Sequence, residues 1–371
     1  MKQSSFWSYR ASVCAMLKGH MPEHVLSNTN FWTLAQADGM YPLLWSSLGE
    51  KHKEMVKPWL LNPIDEHILI ADALRLRNAT ARILRAYREA NIPIILLRGL
   101  AVSELLYPHA YLRPHTDIDI LFDKKHTLMA KQVAGNTLHY RPINAYPMLF
   151  KLGDIPLDLH IEPIGAERIK AWRHITPLDT RDFFKYATEG TIAGEAAWVV
   201  HPRVILPYLC FHALKHSFER LIWLYDIALL AQQVDKQDLW DEVLQGIREY
   251  KLERPCYYAL SYVHKHMDAN VPTHVIDTIQ PQMGMIEKRL FKRFMNHEVI
   301  PYLAERLFSR MLPSLAHRVE FWRETIYPAP EVRAQIAGGG CVKCNFIRTR
   351  LKQIARALWA FGKETIYLIR A

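Results

Sequence analysis

The chain contains no run of about 18 apolar residues, which excludes a membrane-spanning helix. Its first twenty residues, MKQSSFWSYRASVCAMLKGH, hold no apolar core of the length a secretion signal needs. The expected location is therefore the cytoplasm, with peripheral contact to a membrane surface left open. Glycine is scarce, 15 in 371 residues, which argues against a fold assembled from many tight β-turns. Five cysteines in a chain this long make no disulfide framework. Cys341 and Cys344 form a lone C-x-x-C behind Gly338, Gly339 and Gly340. Structural zinc usually takes four ligands, and no second C-x-x-C exists to complete a set, so reduced thiols are the simpler reading. No repeat of solenoid length is visible.

What is present is half hydrophobic and 23% charged, which excludes a disordered chain and supplies a large core. A length of 371 residues suits one large multi-lobed domain or two domains. The net charge of +10 favours phosphate-bearing ligands, nucleic acid or an acidic membrane surface without choosing among them.

Hydrophobic periodicity divides the chain into four stretches. Residues 1–66 read as an N-terminal helical region broken by Pro22, Pro42, Pro58 and Pro63. Residues 67–200 read as an α/β core. It opens with an amphipathic helix carrying Leu69, Ala73, Leu76, Thr80, Ile83, Leu84 and Tyr87 on one face, and that helix stops before Pro93. Ile94–Leu97 is a short apolar run fit for a buried strand, and Leu100–Leu106 reads as a short helix. Thr116–Phe122 and Ile155–Ile161 alternate as strands, residues 125–135 look helical, and a further short strand is expected near Trp198–Val200. Residues 201–335 return to helical spacing, with Leu206, Leu209, Cys210, Ala213 and Leu214 on one stripe and a second helix over Leu221–Gln233. Residues 336–371 form a basic tail with an expected helix. From Phe346 to Ala371 it holds Arg348, Arg350, Lys352, Arg356, Lys363 and Arg370 against Glu364, so a charge of +5 is interleaved with Leu351, Ile354, Leu358, Trp359 and Phe361. Such a segment suits an acidic partner or membrane surface, or caps the core. The fold class expected is α+β, a small mixed sheet flanked by helices with helical regions at both ends.

Side chains alternate faces along a strand, so Asp117 and Asp119 point one way while Ile118, Ile120 and Phe122 point the other. Two carboxylates on one strand face repel, and either a cation compensates them or one of them holds its proton. A divalent cation with a preference for oxygen, magnesium above all, answers that need. Asp158 and His160 share a face of the other alternating strand. If the strands are neighbours, Asp117, Asp119 and Asp158 converge, a ligand set for two metal ions in phosphoryl transfer. A solvated Asp-x-Asp at a strand end is the plainer alternative.

Leu97-Arg98-Gly99, Leu105-Leu106-Tyr107-Pro108, Leu112-Arg113-Pro114 leading into Asp117-Ile118-Asp119, and Asp158-Leu159-His160 together resemble the uncharacterised nucleotidyltransferase family of the polymerase-beta-like superfamily. His212-Ala213-Leu214-Lys215-His216 and Arg220 through Ile227 extend the resemblance, which covers roughly residues 65–235, with a weaker echo at Phe321–Pro328. The resemblance implies transfer of a nucleoside monophosphate from an NTP, with two Mg²⁺ ions on Asp117, Asp119 and Asp158. It further implies that Asp158 orients or deprotonates an acceptor hydroxyl and that the triphosphate lies near Gly99. Arg98, Arg113, His212 and Lys215 are the accompanying nucleotide-binding candidates. The sequence departs from the superfamily pattern in two places. Gly99 is followed by Leu100 and stands eighteen positions before Asp117, and Arg98 occupies a place often held by Lys. The acceptor is open among small molecules, sugars, peptides, proteins and RNA, the last without a dedicated motif. A nucleotide-binding protein without catalysis and a phosphotransferase on the same metals are the alternative readings. His212 and His216 have zinc-ligand spacing, but Ala213 stands where a metalloprotease needs Glu. Asp226 is expected to pair with Arg220 or Lys215, and Trp223 to lie in the core.

Overall fold

The computed structural model describes residues 3–61, 65–143, 146–166, 169–328 and 333. The basic tail helix and the Cys341/Cys344 pair lie outside the described residues. Four short helices open the chain: α1 (Gln3–Leu17), α2 (Thr29–Asp38), α3 (Tyr41–Ser46) and α4 (Glu50–Val56). The expected amphipathic helix is α5 (Glu66–Glu89), capped by the Asp65 side chain and burying Leu76, Thr80, Ile83, Leu84 and Tyr87. It is followed by β1 (Ile95–Leu96), α6 (Leu100–Leu106) and β2 (Ile118–Leu121). The helix expected at 125–135 is divided into a 3-10 turn at Lys124–His126, α7 (Thr127–Gln132) and a π turn at Val133–Thr137.

Then come β3 (Arg141–Ile143), β4 (Tyr146–Leu152), β5 (Ile155–His160), α8 (Thr180–Lys185), β6 (Ala187–Ile192) and β7 (Glu195–Val200). The remainder is helical: α9 (Pro202–Lys215), α10 (Leu221–Lys236), α11 (Trp240–Glu249), α12 (Glu253–His266), α13 (Thr273–Thr278), α14 (Met285–Met295), α15 (Leu303–Met311) and α16 (Leu315–Ile326). None of the helices among the described residues is long and apolar enough to cross a membrane.

The seven strands form one mixed sheet in the order β3-β4-β5-β2-β1-β7-β6. At its centre β2 runs parallel to β5 and antiparallel to β1, while β1 runs parallel to β7. The fold is therefore the α+β arrangement expected, a mixed sheet flanked by helices. Each face of the sheet has its own apolar cluster. Ile118, Ile120, Phe122, Leu157 and Leu159 pack under α5 and α7. The opposite face joins a larger cluster that unites the N-terminal helices with α9–α16. The N-terminal region thus shares its core with the helices that follow the sheet.

One close approach fixes the stacking of α11 on α9. Pro207 lies inside α9 and has no N–H to offer the carbonyl of Arg203 four residues earlier. Gly246 of α11 faces that carbonyl, and a Cβ there would come within 2.2 Å of its oxygen. Only glycine fits.

Candidate active site

The register of β2 against β5 sets Asp119 beside Asp158 and Leu121 beside His160. With Ile118, Ile120, Leu157 and Leu159 committed to the apolar layer, the alternating residues turn to the other side, where a cavity of about 690 Å³ opens. Asp117, one residue before β2, lines it together with Asp119, Asp158 and His160. So do the candidates Arg98, Gly99, Arg113, His212 and Lys215. All eight candidates singled out from sequence therefore border one space.

The expected meeting of strand carboxylates takes a slightly different form. One ligand atom from each of Asp119, Asp158 and His160 falls within 4.8 Å of the other two, the sole such group among the described residues. Asp117 stands beside it on the cavity wall. His160 Nε2 lies 2.9 Å from Asp119 Oδ1 and 3.5 Å from Asp158 Oδ2. Asp119 Oδ2 accepts from Arg98 Nη2 at 2.7 Å. Burial alone would raise the Asp119 carboxyl, but Arg98 and His160 outweigh it and hold it well below the usual range. Asp117 is open to solvent on one side, yet desolvation between the cavity walls pushes its carboxyl up. The charges of Asp119 and Asp158 push the same way against the pull of Arg98.

Arg98 follows β1, and Gly99 turns the chain into α6 with φ +57°, a conformation that favours glycine. Arg98 Nη1 lies 2.5 Å from His212 Nδ1 and 2.9 Å from Nε2. Burial first, and then the Arg98 charge, drives His212 well below its ordinary value, so the ring is neutral and accepts. Arg113 borders the cavity, but its guanidinium is committed to Asp226, through Nη2 to Oδ2 at 2.7 Å and Nε to Oδ1 at 3.1 Å. Asp226 therefore pairs with Arg113 and not with Arg220 or Lys215: Arg220, at the start of the same helix, is six residues away and so on a different face, and Lys215 is turned to the Ile164 carbonyl and the Trp172 ring. Tyr107 completes that cluster with a 2.7 Å hydrogen bond to Asp226 Oδ1. Lys215 Nζ donates to the carbonyl of Ile164 at 3.4 Å and stands 4.4 Å from the centre of the Trp172 ring.

Several cavity residues were not singled out from sequence for this site. His160 carried a signal, its i+2 spacing from Asp158. Trp223, expected in the core, is half-buried on the cavity wall, with ring centres 5.3 Å from His212 and 5.0 Å from His216. His115 stands beside Gly99, and burial, followed by the Arg113 charge, lowers it to about 4. Gln36, Ala37 and Gly39 bring the N-terminal region to the same cavity, which no periodicity could indicate. His212 and His216 touch ring to ring at 4.9 Å, but they belong to no metal-ligating cluster among the described residues.

This arrangement combines clustered carboxylates, several imidazoles and several cations in one cleft. Residues 27–268 match the family model described as uncharacterised nucleotidyltransferase, which is 242 of the 371 residues. The chain belongs to that family. Two solved structures of the antibiotic-resistance factor ANT(2'')-Ia are also similar to it, each at 18% identity and a TM-score of 0.34. One is a solution structure that reveals substrate-regulated conformation dynamics; 52% of this chain and 99% of that one are covered. The other is a crystal structure in complex with adenylyl-2''-tobramycin; 47% and 98% are covered. No curated protein matches the chain at a significant level. For a nucleotidyltransferase, the cavity between β2, β5, α9 and α10 is the candidate site of transfer, and its Asp119, Asp158 and His160 are able to hold a metal ion.

Proposed function

We propose that the protein transfers a nucleoside monophosphate from an NTP to a hydroxyl of an acceptor and needs Mg²⁺ to do so. The observation that carries this reading is the gathering of Asp119, Asp158 and His160 ligand atoms within 4.8 Å of one another, beside Asp117, in a cavity lined by cations.

The donor set fits a divalent cation. Asp117, Asp119 and Asp158 bring three carboxylates to one wall of the cavity, where desolvation first, and then the charges of Asp119 and Asp158, push the Asp117 carboxyl up. A carboxylate has about four lone-pair sites, so Asp119 keeps acceptor capacity beyond Arg98 and His160. Asp119, Asp158 and His160 would hold one ion, and Asp117 with Asp119 would serve a second. When bound, such ions supply charge stabilisation to the transferring phosphoryl group and its pyrophosphate leaving group.

The protein's own groups do the rest. Asp158 accepts a hydrogen bond from the acceptor hydroxyl at a carboxylate oxygen and takes its proton as the oxygen attacks. Arg98 holds Asp119 ionised and oriented, and neutral His212 holds Arg98. Lys215 offers a cation to the phosphates from α9. Arg113, fixed by Asp226, anchors the loop through His115 that delivers Asp117. Catalysis in this arrangement rests on positioning and electrostatics, with no covalent enzyme intermediate.

The test is incubation of the full chain with Mg²⁺, labelled NTPs and an acceptor pool, with release of pyrophosphate and incorporation of NMP as readouts. Asp119→Asn and Asp158→Asn should abolish both. Labelled phosphate in the product in place of NMP would indicate a phosphotransferase, and no Mg²⁺-dependent NTP binding at all would overturn the reading.

A further inference from the structure

The cations of the cavity differ in what they already hold. Arg98 is engaged with Asp119 and His212, Arg113 with Asp226, and Lys215 with the Ile164 carbonyl and the Trp172 ring. Arg220 lines the same cavity and is engaged with none of them. Among the described residues its guanidinium has no hydrogen bond and no salt bridge, and its Nε is buried without a partner. A buried donor of this kind is costly unless something supplies an acceptor.

Its position is nonetheless set on two sides. Arg220 is the residue preceding the first turn of α10, and its guanidinium lies over the Trp223 ring, 5.5 Å from the ring centre. On the other side stands the turn that ends α2. Asp38 is buried, accepts from Leu221 N at 2.8 Å and from Tyr9 Oη at 3.0 Å, and so ties the N-terminal region to the start of α10. Gly39 follows with φ +80°, and a Cβ on it would stand 2.9 Å from Arg220 Nη2 and 3.4 Å from Ile222 Cγ2. Any side chain at position 39 would both strain the turn and displace the guanidinium. Asp38 attracts Arg220 through its charge, yet its oxygens bind Leu221 N and Tyr9 Oη and form no salt bridge with the guanidinium.

We propose that Arg220 binds the phosphate chain of the nucleotide donor, and that the Asp38–Gly39 turn of the N-terminal region positions it. The proposal rests on the nucleotidyltransferase reading of the cavity. A planar guanidinium presents two parallel N–H donors, which matches the paired oxygens of a phosphate better than an ammonium does. The contact with the Trp223 ring holds the guanidinium in place without consuming its donors. The N-terminal region then has a functional role in addition to packing, because it forms the wall that keeps the one uncommitted arginine of the described cavity in place.

The experiment measures binding of inorganic tripolyphosphate and of ATP to the full chain by calorimetry, with Trp fluorescence as a second readout. The proteins are the wild type, Arg220→Gln, Arg220→Lys, Gly39→Ala and the Gly39→Ala/Arg220→Gln double variant. Arg220→Gln should weaken both ligands by at least tenfold, with Arg220→Lys intermediate. Gly39→Ala should weaken them comparably, and should cost little further in the Arg220→Gln background, since a merely structural effect would add in full. Wild-type affinity for both ligands in Arg220→Gln overturns the proposal and leaves the nucleotidyltransferase reading standing. Loss of tripolyphosphate binding with unchanged ATP binding assigns Arg220 to an anionic acceptor and overturns its assignment to the donor. Full additivity overturns the positioning role of Gly39. Failure of the wild type to bind either ligand, with or without Mg²⁺, removes both this proposal and the function it rests on.

Discussion

Replacing Asp226 by Asn should be among the most destabilising isosteric changes available to this protein. The carboxylate sits behind the cavity with its side chain 3% exposed, and that of Arg113 is 7% exposed. Three donors converge on it: Arg113 Nη2 at 2.7 Å, Arg113 Nε at 3.1 Å and Tyr107 Oη at 2.7 Å. Burial favours a neutral Arg113, but Asp226 more than compensates and its guanidinium is held above its ordinary value. An amide keeps the shape, loses the charge and turns one acceptor into a donor aimed at another donor. Breaking a buried pair from one side typically costs about 3–5 kcal/mol, because the remaining charge stays desolvated. Against a usual total of roughly 5–15 kcal/mol, that removes about a fifth of the stability or more. Tyr107→Phe deletes a single hydrogen bond from the same cluster and should cost about 1–3 kcal/mol. Removing both charges together, as Arg113→Met/Asp226→Leu, should cost less than Asp226→Asn alone, since no orphaned charge is left. Urea unfolding followed by circular dichroism and Trp fluorescence measures all three. An Asp226→Asn loss below about 1 kcal/mol, or a double variant worse than the single one, would refute the account of a desolvated pair.

Other expectations follow from the same geometry. Asp119→Asn or Asp158→Asn should lower NMP incorporation by on the order of 10²–10³-fold or more, with far-UV dichroism unchanged; near wild-type turnover would remove these side chains from the chemistry. Gly246→Ala would ordinarily stabilise a helix, yet here a Cβ 2.2 Å from the Arg203 oxygen should destabilise by about 1–3 kcal/mol in a denaturant titration, and a gain in stability would refute the close approach. Stability should also fall on acidification through His297, which is held to about 4 by burial first and then by the charges of His266 and Arg10. Its folded value lies below the unfolded one of about 6.5, so the unfolded chain binds the extra proton between those values. The contribution of neutral His297 is full above pH about 6.5 and is lost as pH falls towards about 4, by up to about 3 kcal/mol. His297→Gln should flatten that part of the stability–pH curve, and an unchanged slope would exclude His297 as its source.

Parts of this architecture were legible because periodicity reports burial. α5 spans nearly the residues its 3.6-residue stripe marks, and α6 coincides with Leu100–Leu106. β2 and β5 were visible because apolar residues alternate with acids and an imidazole along them, although β2 is buried on both faces and its polar side is the wall of an enclosed cleft. β3, β4 and β6 were not. β3 and β6 form the two edges of the sheet, where exposure erases the apolar signature, and their Pro142 and Gly190 read as breaks. Gly190 is required by contact, since a Cβ there would meet Val199 Cγ2 at 2.7 Å. Trp223 packs against the core as expected but also lines the cleft, because the stripe of α10 names one face as buried without saying whether a neighbouring face meets solvent or a cavity.

The local order of residues along the chain thus determined the α+β class and the two acid-bearing strands, since strand alternation is a property of the backbone. Only tertiary structure decided which of the acids meet. The parallel register of β2 on β5 put Asp119 level with Asp158 and brought His160 into their group, while Asp117 stayed at its edge. Tertiary structure also chose Arg113 for Asp226 and set the Asp38–Gly39 turn against Arg220, partners separated by 113 positions in the first case and more in the second. Contacts at such separations are selected by the packing of whole layers, and no local spacing encodes them.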